Sequence, residues 1–393
     1  MAAYIKVFLF VCCTFCTSLV WGQTDSCNLR VSLLTCSPGE ELYSTFGHTA
    51  LRVKNTGTGE DYVFNYGTFE FSPDFYKKFV LGRLLYSLSV QSFQEFVFNY
   101  QLESRSIIEQ NINISCAEKE KLVTALHVNA EEQNRHYLYD FLFDNCTTRA
   151  RDIVVKNSIP PALFKNILPD NVPSFRDLIH SYLNLGGQYW SKLGIDMLLG
   201  ARLDRKVGNT EAMFLPDYLM KGFDHAKSGT RPLVQAPQTI LSMPSPLNKG
   251  SMFRPAVVFS ILLAAALILT FARRQGANQA LSIIDFLLFL LAGLSGCIML
   301  FMWFATDHLL CRDNYNLLWA LPSHLGLALY VHSNKPWVKK YFTGATILYT
   351  LLLLGWFFMP QNLNDALLPL VALLAFRSAA LAQLFTYAKN KRV

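Results

Sequence analysis

A cysteine at the start of a predicted helix is the residue of this chain best suited to covalent chemistry. Cys146 lies in the segment Asp144-Asn145-Cys146-Thr147-Thr148-Arg149. The Asp-Asn pair can cap a helix that continues through Val154. Backbone N–H groups and the helix dipole at such a position favour a thiolate, which is the nucleophile that acyl transfer needs. The alternatives are a small buried residue or one half of a disulfide, so the interpretation depends on a base nearby.

His48 is the candidate base, and it lies at the start of a predicted strand in the segment Phe46-Gly47-His48-Thr49-Ala50. A strand-borne histidine facing a helix-start cysteine is the working geometry of papain-like enzymes, in which the imidazole takes the thiol proton and later activates the incoming nucleophile. A third polar group should orient the imidazole. Asn65 on the next strand is the first candidate and Asp61 the second; a structural amide at the sheet edge is the alternative for Asn65.

The elements that would hold these residues are of mixed type. Alternation predicts a strand over Asn28–Cys36 and a hairpin of His48–Val53 with Tyr62–Tyr66. Ser115 and Glu118 form a capping box that predicts a helix through about Glu131. Further helices are expected over Phe75–Leu81, Phe93–Tyr100, Ser174–Tyr182 and Gln188–Leu199. Strands and helices mixed in this way predict an α+β domain.

The first 22 residues read as a secretory signal with an apolar stretch over Val7–Val20, so that Gln23 would begin the mature chain; an uncleaved anchor is the alternative. An exported domain can form disulfides, and we expect them among Cys27, Cys36 and Cys116, with Cys146 free. No metal site or cofactor is expected, because no CxxC or Cys/His ligand spacing occurs. The net charge of +7 comes without a basic stripe, which argues against a nucleic-acid partner.

The C-terminal third is apolar and predicts an all-α bundle of about five transmembrane helices, since about 20 residues of helix cross a bilayer. The expected spans are Pro255–Ala272, Ile283–Ala305, Leu317–Val331, Tyr341–Phe358 and Leu367–Tyr387. With the N-terminal domain outside, the inside segments are rich in Lys and Arg, whereas the two outside loops contain only Arg312. The positive-inside rule therefore places the C-terminus in the cytoplasm.

Several blocks of the sequence resemble the Lnb-type lipoprotein N-acyltransferase family of Gram-negative bacteria. They include the His48 and Cys146 segments given above, and also Asn65-Tyr66-Gly67-Thr68-Phe69, Met213-Phe214-Leu215-Pro216-Asp217, Thr306-Asp307-His308 and Asn314-Tyr315-Asn316-Leu317-Leu318-Trp319. Histidine precedes cysteine, the reverse of papain, which is similar to the circularly permuted papain-like group that includes lecithin:retinol acyltransferase.

The resemblance implies a permuted papain-like catalytic domain in the periplasm over residues 23–223, a linker over 224–253 and a transmembrane domain over 254–393 of the bacterial inner membrane. It implies that Cys146 takes an acyl chain from a phospholipid as a thioester and passes it to the terminal amine of a diacylglyceryl-cysteine lipoprotein. The linker is rich in Pro, Gly and Ser and could hold a short hairpin around Leu233–Met243.

Five polar residues of the membrane part are candidates for substrate binding, since they lie on the outer loop or inside a span: Asp307, His308, Asn314, Asn316 and Arg377. Loop capping and, for Arg377, pairing with another polar group of the bundle are the alternatives. A Cys-dependent cell-wall amidase or peptidase anchored in the inner membrane is the rival function, and a non-catalytic sensor is a third. The polytopic module argues against the amidase, because a soluble polymer needs no route from lipid.

Overall fold

The computed structural model describes residues 27–244, 253–272 and 275–384. The predicted signal segment lies outside the described residues. The basic residues Arg273 and Arg274 and those at the C-terminus, which support the predicted orientation, also lie outside the described residues.

The soluble domain is built on a seven-stranded antiparallel sheet in the order β10-β5-β1-β2-β3-β4-β6. A small second sheet has the order β7-β8-β9. The strands are β1 Leu29–Cys36, β2 His48–Asn55, β3 Asp61–Thr68, β4 Leu85–Ser92, β5 Ile107–Asn111, β6 His136–Leu138, β7 Ala162–Leu163, β8 Lys227–Ser228, β9 Arg231–Pro232 and β10 Gln238–Leu241. The predicted first strand and the predicted hairpin are confirmed.

Helices cover both faces of the sheet. Those of the soluble domain are α1 Phe75–Leu81, α2 Phe93–Leu102, α3 Cys116–Ala130, α4 Cys146–Lys156, α5 Phe175–Leu185, α6 Tyr189–Leu198, α7 Asn209–Ala212 and α8 Pro216–His225. Alternate residues of β1 serve two cores: Val31 and Leu33 face α3 and α4, while Leu34 packs toward α2 with Phe96. Strand β1 is therefore buried on both sides, which fixes its register.

Two parts of the soluble domain differ from the expectation. Strand β4 is absent from the sequence-based expectation, although Tyr86, Leu88 and Val90 alternate with polar residues along it. The expected linker over 224–253 is only partly a linker, because β8, β9 and β10 lie within it and β10 pairs with β5. Burial gives the physical reason: Leu233 and Val234 belong to the main core. Cys27 and Cys116 form a disulfide, and Cys36 and Cys146 are free thiols.

The described C-terminal region is helical, with α9 Pro255–Phe271, α10 Gln275–Phe304, α11 His324–Leu327, α12 Pro336–Leu354 and α13 Leu368–Leu381. Among the described residues, one helix, Gly276–Phe304, is long and apolar enough to cross a membrane by itself, and Pro255–Phe271 is a shorter apolar helix. A set of five continuous spans is not confirmed.

The third expected span, Leu317–Val331, is the clearest departure, because it folds as short 3₁₀ turns around the four-residue α11. Pro322 cannot donate a helical hydrogen bond. Gly293 and Gly296 of α10 leave room for this segment, since a Cβ on either would collide with the backbone at Leu325 or Ala320. Irregular backbone at membrane depth is tolerated when protein surrounds it.

Asparagines join the helical region to the soluble domain. Asn314 donates from Nδ2 to the carbonyl oxygen of Met197 at 2.7 Å, and Asn316 donates to that of Asp196 at 2.8 Å. Asn364 donates to the Asp196 carboxylate at 2.7 Å. Because these contacts fix α6 against the outer loops, they also fix where the soluble domain stands on the helical region.

Candidate active site

The first turn of α4 holds Cys146 in a defined position. The side chain of Asn145 caps the helix, accepting from the backbone N–H groups of Thr147 and Thr148 at 2.9 Å each. The side-chain nitrogen Nδ2 of Asn145 donates to the carbonyl oxygens of Phe141 and Phe214. Asn145 is buried, so its four hydrogen bonds tie the helix start to two separate loops. The predicted cap is confirmed.

His48 lies at the start of β2 and is held by Asn65 of β3. Nε2 of His48 and Oδ1 of Asn65 are 2.5 Å apart, and the Cys146 thiol is a further hydrogen-bond partner of the imidazole. Asp61, the second candidate for this role, lies at the far end of β3 and binds Arg52 through both carboxylate oxygens. The structure therefore brings Asn65, and not Asp61, to the imidazole.

Cys146 and His48 shift each other's pKa in the direction of an ion pair. Burial by itself raises the pKa of the Cys146 thiol, but the charge and hydrogen bond of His48 and the backbone N–H of Thr49 outweigh it and lower the pKa to about 7. Burial tends to lower the pKa of His48, but the thiolate and Asn65 raise it above its ordinary value. A substantial thiolate population at neutral pH follows.

Two glycines adjoin the candidate catalytic residues, Gly67 at Cys146 and Gly47 at His48. Gly67 has φ +88° at an irregularity between β3 and β4, and a Cβ there would lie 3.4 Å from the Cβ of Cys146. Gly47, with φ +78°, precedes His48, and a Cβ on it would approach the carbonyl oxygen of Cys36 to 2.7 Å. Only glycine adopts such backbone angles without strain, so both positions depend on it.

Cys146, His48 and Asn65 line one cavity of about 880 Å³. Most of its wall comes from the soluble domain, and much of that wall is aromatic, including Phe69, Tyr86 and Phe141. The remainder is the loop that follows α10, residues Asp307–Leu310. The soluble domain and the loop after α10 therefore together form the cavity around the Cys146 thiol.

The five polar candidates of the membrane part divide into three groups. Asp307 and His308 line the cavity. Asn314 and Asn316 lie away from its wall and are buried in the contact with α6. Arg377 is buried in the helical region, where it binds Asp285 through Nε at 2.6 Å and Nη2 at 2.8 Å and Thr270 through Nη1. Arg377 therefore pairs with other polar groups of the bundle, which is one of the two alternatives that the sequence left open.

The aromatic residues before Cys146 also have different surroundings. Tyr139 and Phe141 line the cavity, Tyr137 is buried in the core, and Phe143 is exposed beside Phe175. Sequence reasoning missed Tyr86, which stacks on Tyr139 with ring centroids 4.2 Å apart. The signal that could have found it is the alternation in the part of β4 around Tyr86.

Two family models match the chain. The Lnb N-terminal periplasmic domain matches residues 19–180, and the Lnb transmembrane domain matches residues 247–390. The chain belongs to the Lnb family. It is therefore a membrane protein with a periplasmic N-terminal domain and a membrane-embedded C-terminal region, and membership suggests a lipoprotein-modifying enzyme. Neither the curated proteins nor the solved structures contain a match to this chain.

Proposed function

We propose that this Lnb-family protein is a lipoprotein N-acyltransferase with Cys146 as nucleophile, His48 as base and Asn65 as the residue that orients the imidazole. One observation carries the proposal: the Cys146–His48–Asn65 series opens into a cavity whose wall includes the loop directly after the membrane-crossing helix α10. A thiol that uses a lipid substrate needs such a position beside the bilayer. In this proposal the catalytic domain, residues 23–223 with the strands up to Leu241, faces the periplasm and the C-terminus faces the cytoplasm.

In the first half-reaction the Cys146 thiolate attacks the carbonyl carbon of a phospholipid ester. An S–C bond forms, the ester C–O bond breaks, and the His48 imidazolium gives its proton to the departing lysophospholipid oxygen. The backbone N–H of Cys146 is in the first turn of α4 and has no acceptor within the helix. It is therefore available to stabilise the oxyanion of the tetrahedral intermediate.

In the second half-reaction the terminal amine of a diacylglyceryl-cysteine lipoprotein attacks the thioester carbonyl. A C–N bond forms, the C–S bond breaks, and Cys146 returns as a thiolate. The amine is mostly protonated at neutral pH, since the reference pKa of an α-amino group is near 8. The ammonium form first loses one proton to solvent. Neutral His48 then takes the second proton as the C–N bond forms, which leaves an imidazolium beside the Cys146 thiolate, so one histidine serves both half-reactions in opposite protonation states.

Asp307 and His308 are the membrane-loop residues that the proposal retains as substrate contacts, because they line the cavity. The Asp307 carboxylate binds Arg83 at 2.7 Å, and both side chains stay more than half exposed. The Asp307 carboxylate can therefore also accept a hydrogen bond from the ammonium group of an incoming lipoprotein. We assign Asn314, Asn316 and Arg377 a structural role instead of substrate binding, because their polar groups bind other parts of the chain.

The test is the intact mass of the purified protein after incubation with phospholipid, for the wild type and for Cys146→Ala. We expect a mass increase of one fatty-acyl group on the wild type only, released by hydroxylamine, followed by transfer to a diacylglyceryl-cysteine peptide. Absence of the adduct on folded wild-type protein, together with cleavage of soluble muropeptides without lipid, would overturn the proposal in favour of the cell-wall amidase.

A further inference from the structure

The segment between β3 and β4 carries an apolar surface that no part of the described chain covers. We define the α1 surface as Phe71, Tyr76, Phe79 and Val80, which are 75%, 73%, 52% and 43% exposed. The last three are spaced i, i+3 and i+4 on α1, so they share one helix face. Large aromatic side chains grouped in this way mark a contact site.

Hydrogen bonds hold α1 against the loop that follows α10. The carbonyl oxygen of Leu81 accepts from the backbone N–H of Asp307 at 2.9 Å, and that of Phe79 accepts from Nε2 of His308 at 2.9 Å. Asp307 and His308 directly follow α10, the helix long enough to cross a membrane. The C-terminus of α1 therefore lies beside the C-terminal end of α10.

Gly82 makes this close approach possible. It ends α1 with φ +73°, and a Cβ there would come within 3.2 Å of the backbone at Asp307 and His308. The ion pair between Arg83 and Asp307 adds a further link beside it. The position of α1 beside the outer loop is thus built by backbone contacts, and does not depend on flexible side chains alone.

A continuous row of aromatic rings runs from the α1 surface toward Cys146. Phe71 contacts Phe75 at 4.6 Å between ring centroids, and Phe75 contacts Phe69 at 5.5 Å. Phe69 contacts Tyr86 at 5.4 Å, and Tyr86 stacks on Tyr139. The inner three rings, Phe69, Tyr86 and Tyr139, line the same cavity as Cys146. An apolar path therefore connects the exposed surface with the thiol.

Charged residues of both signs flank the α1 surface. Lys77 and Lys78 are exposed next to it, Glu70 and Asp74 are exposed on the same segment, and Arg83 is paired with Asp307. Aromatic side chains flanked by Lys and Arg are typical of segments that lie in the interface of a bilayer, where the rings reach the acyl boundary and the cations meet lipid phosphates.

We propose that the α1 surface inserts into the outer leaflet of the membrane, and that Phe69, Tyr86 and Tyr139 guide the acyl chain of a phospholipid from there to Cys146. This inference rests on the proposed function, since it names the side from which the lipid donor reaches the thiol. The occupant of the α1 surface is the bilayer itself, and a partner protein is the outcome that would contradict it.

Photocrosslinking tests the contact without requiring catalysis. The full-length Cys146→Ala protein is prepared in phosphatidylethanolamine–phosphatidylglycerol vesicles with p-benzoylphenylalanine in place of Phe71 or Tyr76. The control carries it in place of Thr58, which is exposed in the turn that follows β2, whereas His48 begins that strand. We expect a phospholipid-sized mass adduct at positions 71 and 76 and none at 58. No lipid adduct at either position, or crosslinks to another protein, would overturn the inference while leaving the proposed function standing.

A kinetic comparison tests the path. Tyr76→Asp should slow acylation by vesicle phospholipid by roughly tenfold, because the charge opposes insertion. It should leave acylation by a monomeric short-chain phospholipid close to that of the wild type, since a soluble donor need not leave a bilayer. Thr58→Asp is the matched control. Equal rates for Tyr76→Asp and the wild type on vesicles, or equal losses on both donors, would contradict the inference.

Discussion

Two polar networks of this protein each hold a histidine with a hydrogen-bond acceptor, yet they differ in what surrounds them. In the cavity network, His48 lies between Asn65 and Cys146 and opens onto the cavity. In the interface network, Asp196 accepts from His180 and from Arg176 at 2.7 Å each. Asp196 is 1% exposed and its second oxygen accepts from an asparagine of the outer loops.

The difference lies in which groups remain able to change their protonation. Burial raises the pKa of the Asp196 carboxyl, but His180 and Arg176 outweigh it and hold the pKa below the ordinary value. Every strong donor around that carboxylate is engaged, so the network stabilises one arrangement of the two domains. The cavity network ends in a thiol with a pKa of about 7, which can react. We therefore expect substitutions in the cavity network to reduce activity, and substitutions in the interface network to reduce stability.

The largest expected effect is on activity, from Cys146→Ala. Without the nucleophile, acyl transfer should fall by about 10⁴-fold or more. The free energy of unfolding should change little, because Cys146 is only partly buried. Activity assays and chemical denaturation in detergent measure the two quantities. Transfer that persists in the alanine variant would show that the cavity network is not catalytic.

The next effect is on stability, from Asp196→Asn. The free energy of unfolding should fall by about 1 to 3 kcal/mol, because Arg176 and His180 lose a buried charged acceptor while Arg176 keeps its ion pair with Asp204. Asp152→Asn is the control, since Asp152 pairs with Arg151 at the surface and should contribute at most about 1 kcal/mol. If Asp196→Asn kept its stability and lost only acyl transfer, the interface network would belong to the site.

A smaller effect on activity is expected from Asn65→Ala. The imidazole loses the hydrogen bond that orients it, a bond to a charged group worth about 1.5 to 3 kcal/mol, and acylation should slow by roughly 10- to 100-fold. Asn65→Asp keeps an acceptor and is the matched control. A rate of acyl-adduct formation equal to that of the wild type would make Asn65 a structural amide.

The smallest effect is the pH dependence of thiol reactivity. A thiol with a pKa of about 7 is mostly thiolate above that pH and loses the thiolate as the pH falls. Alkylation of Cys146 by iodoacetamide should therefore slow by about tenfold between pH 8 and pH 6. His48→Ala should move the midpoint upward, because burial then acts on the pKa without the opposing charge. If the pH midpoint of alkylation is unchanged in His48→Ala, His48 does not lower the pKa of the Cys146 thiol.

Local sequence patterns are sufficient to predict several features of the candidate site. Helix capping involves residues a few positions apart, so the Asp144-Asn145 pair predicts the start of α4, and hydrophobic alternation predicts the hairpin that carries His48 and Asn65. The choice between Asn65 and Asp61 required tertiary structure, because the distance of each side chain from the imidazole depends on register and on the competing partner Arg52.

The surroundings of the polar residues in the membrane part and the path of the third apolar stretch depend on tertiary contacts. Asp307, Asn316 and Arg377 are all polar groups near apolar sequence, and composition does not distinguish them. Their partners do: a surface arginine at the cavity edge, the backbone of α6 and a buried aspartate. The physical reason is that a polar group is free to bind substrate only where folding leaves it without a closed set of partners.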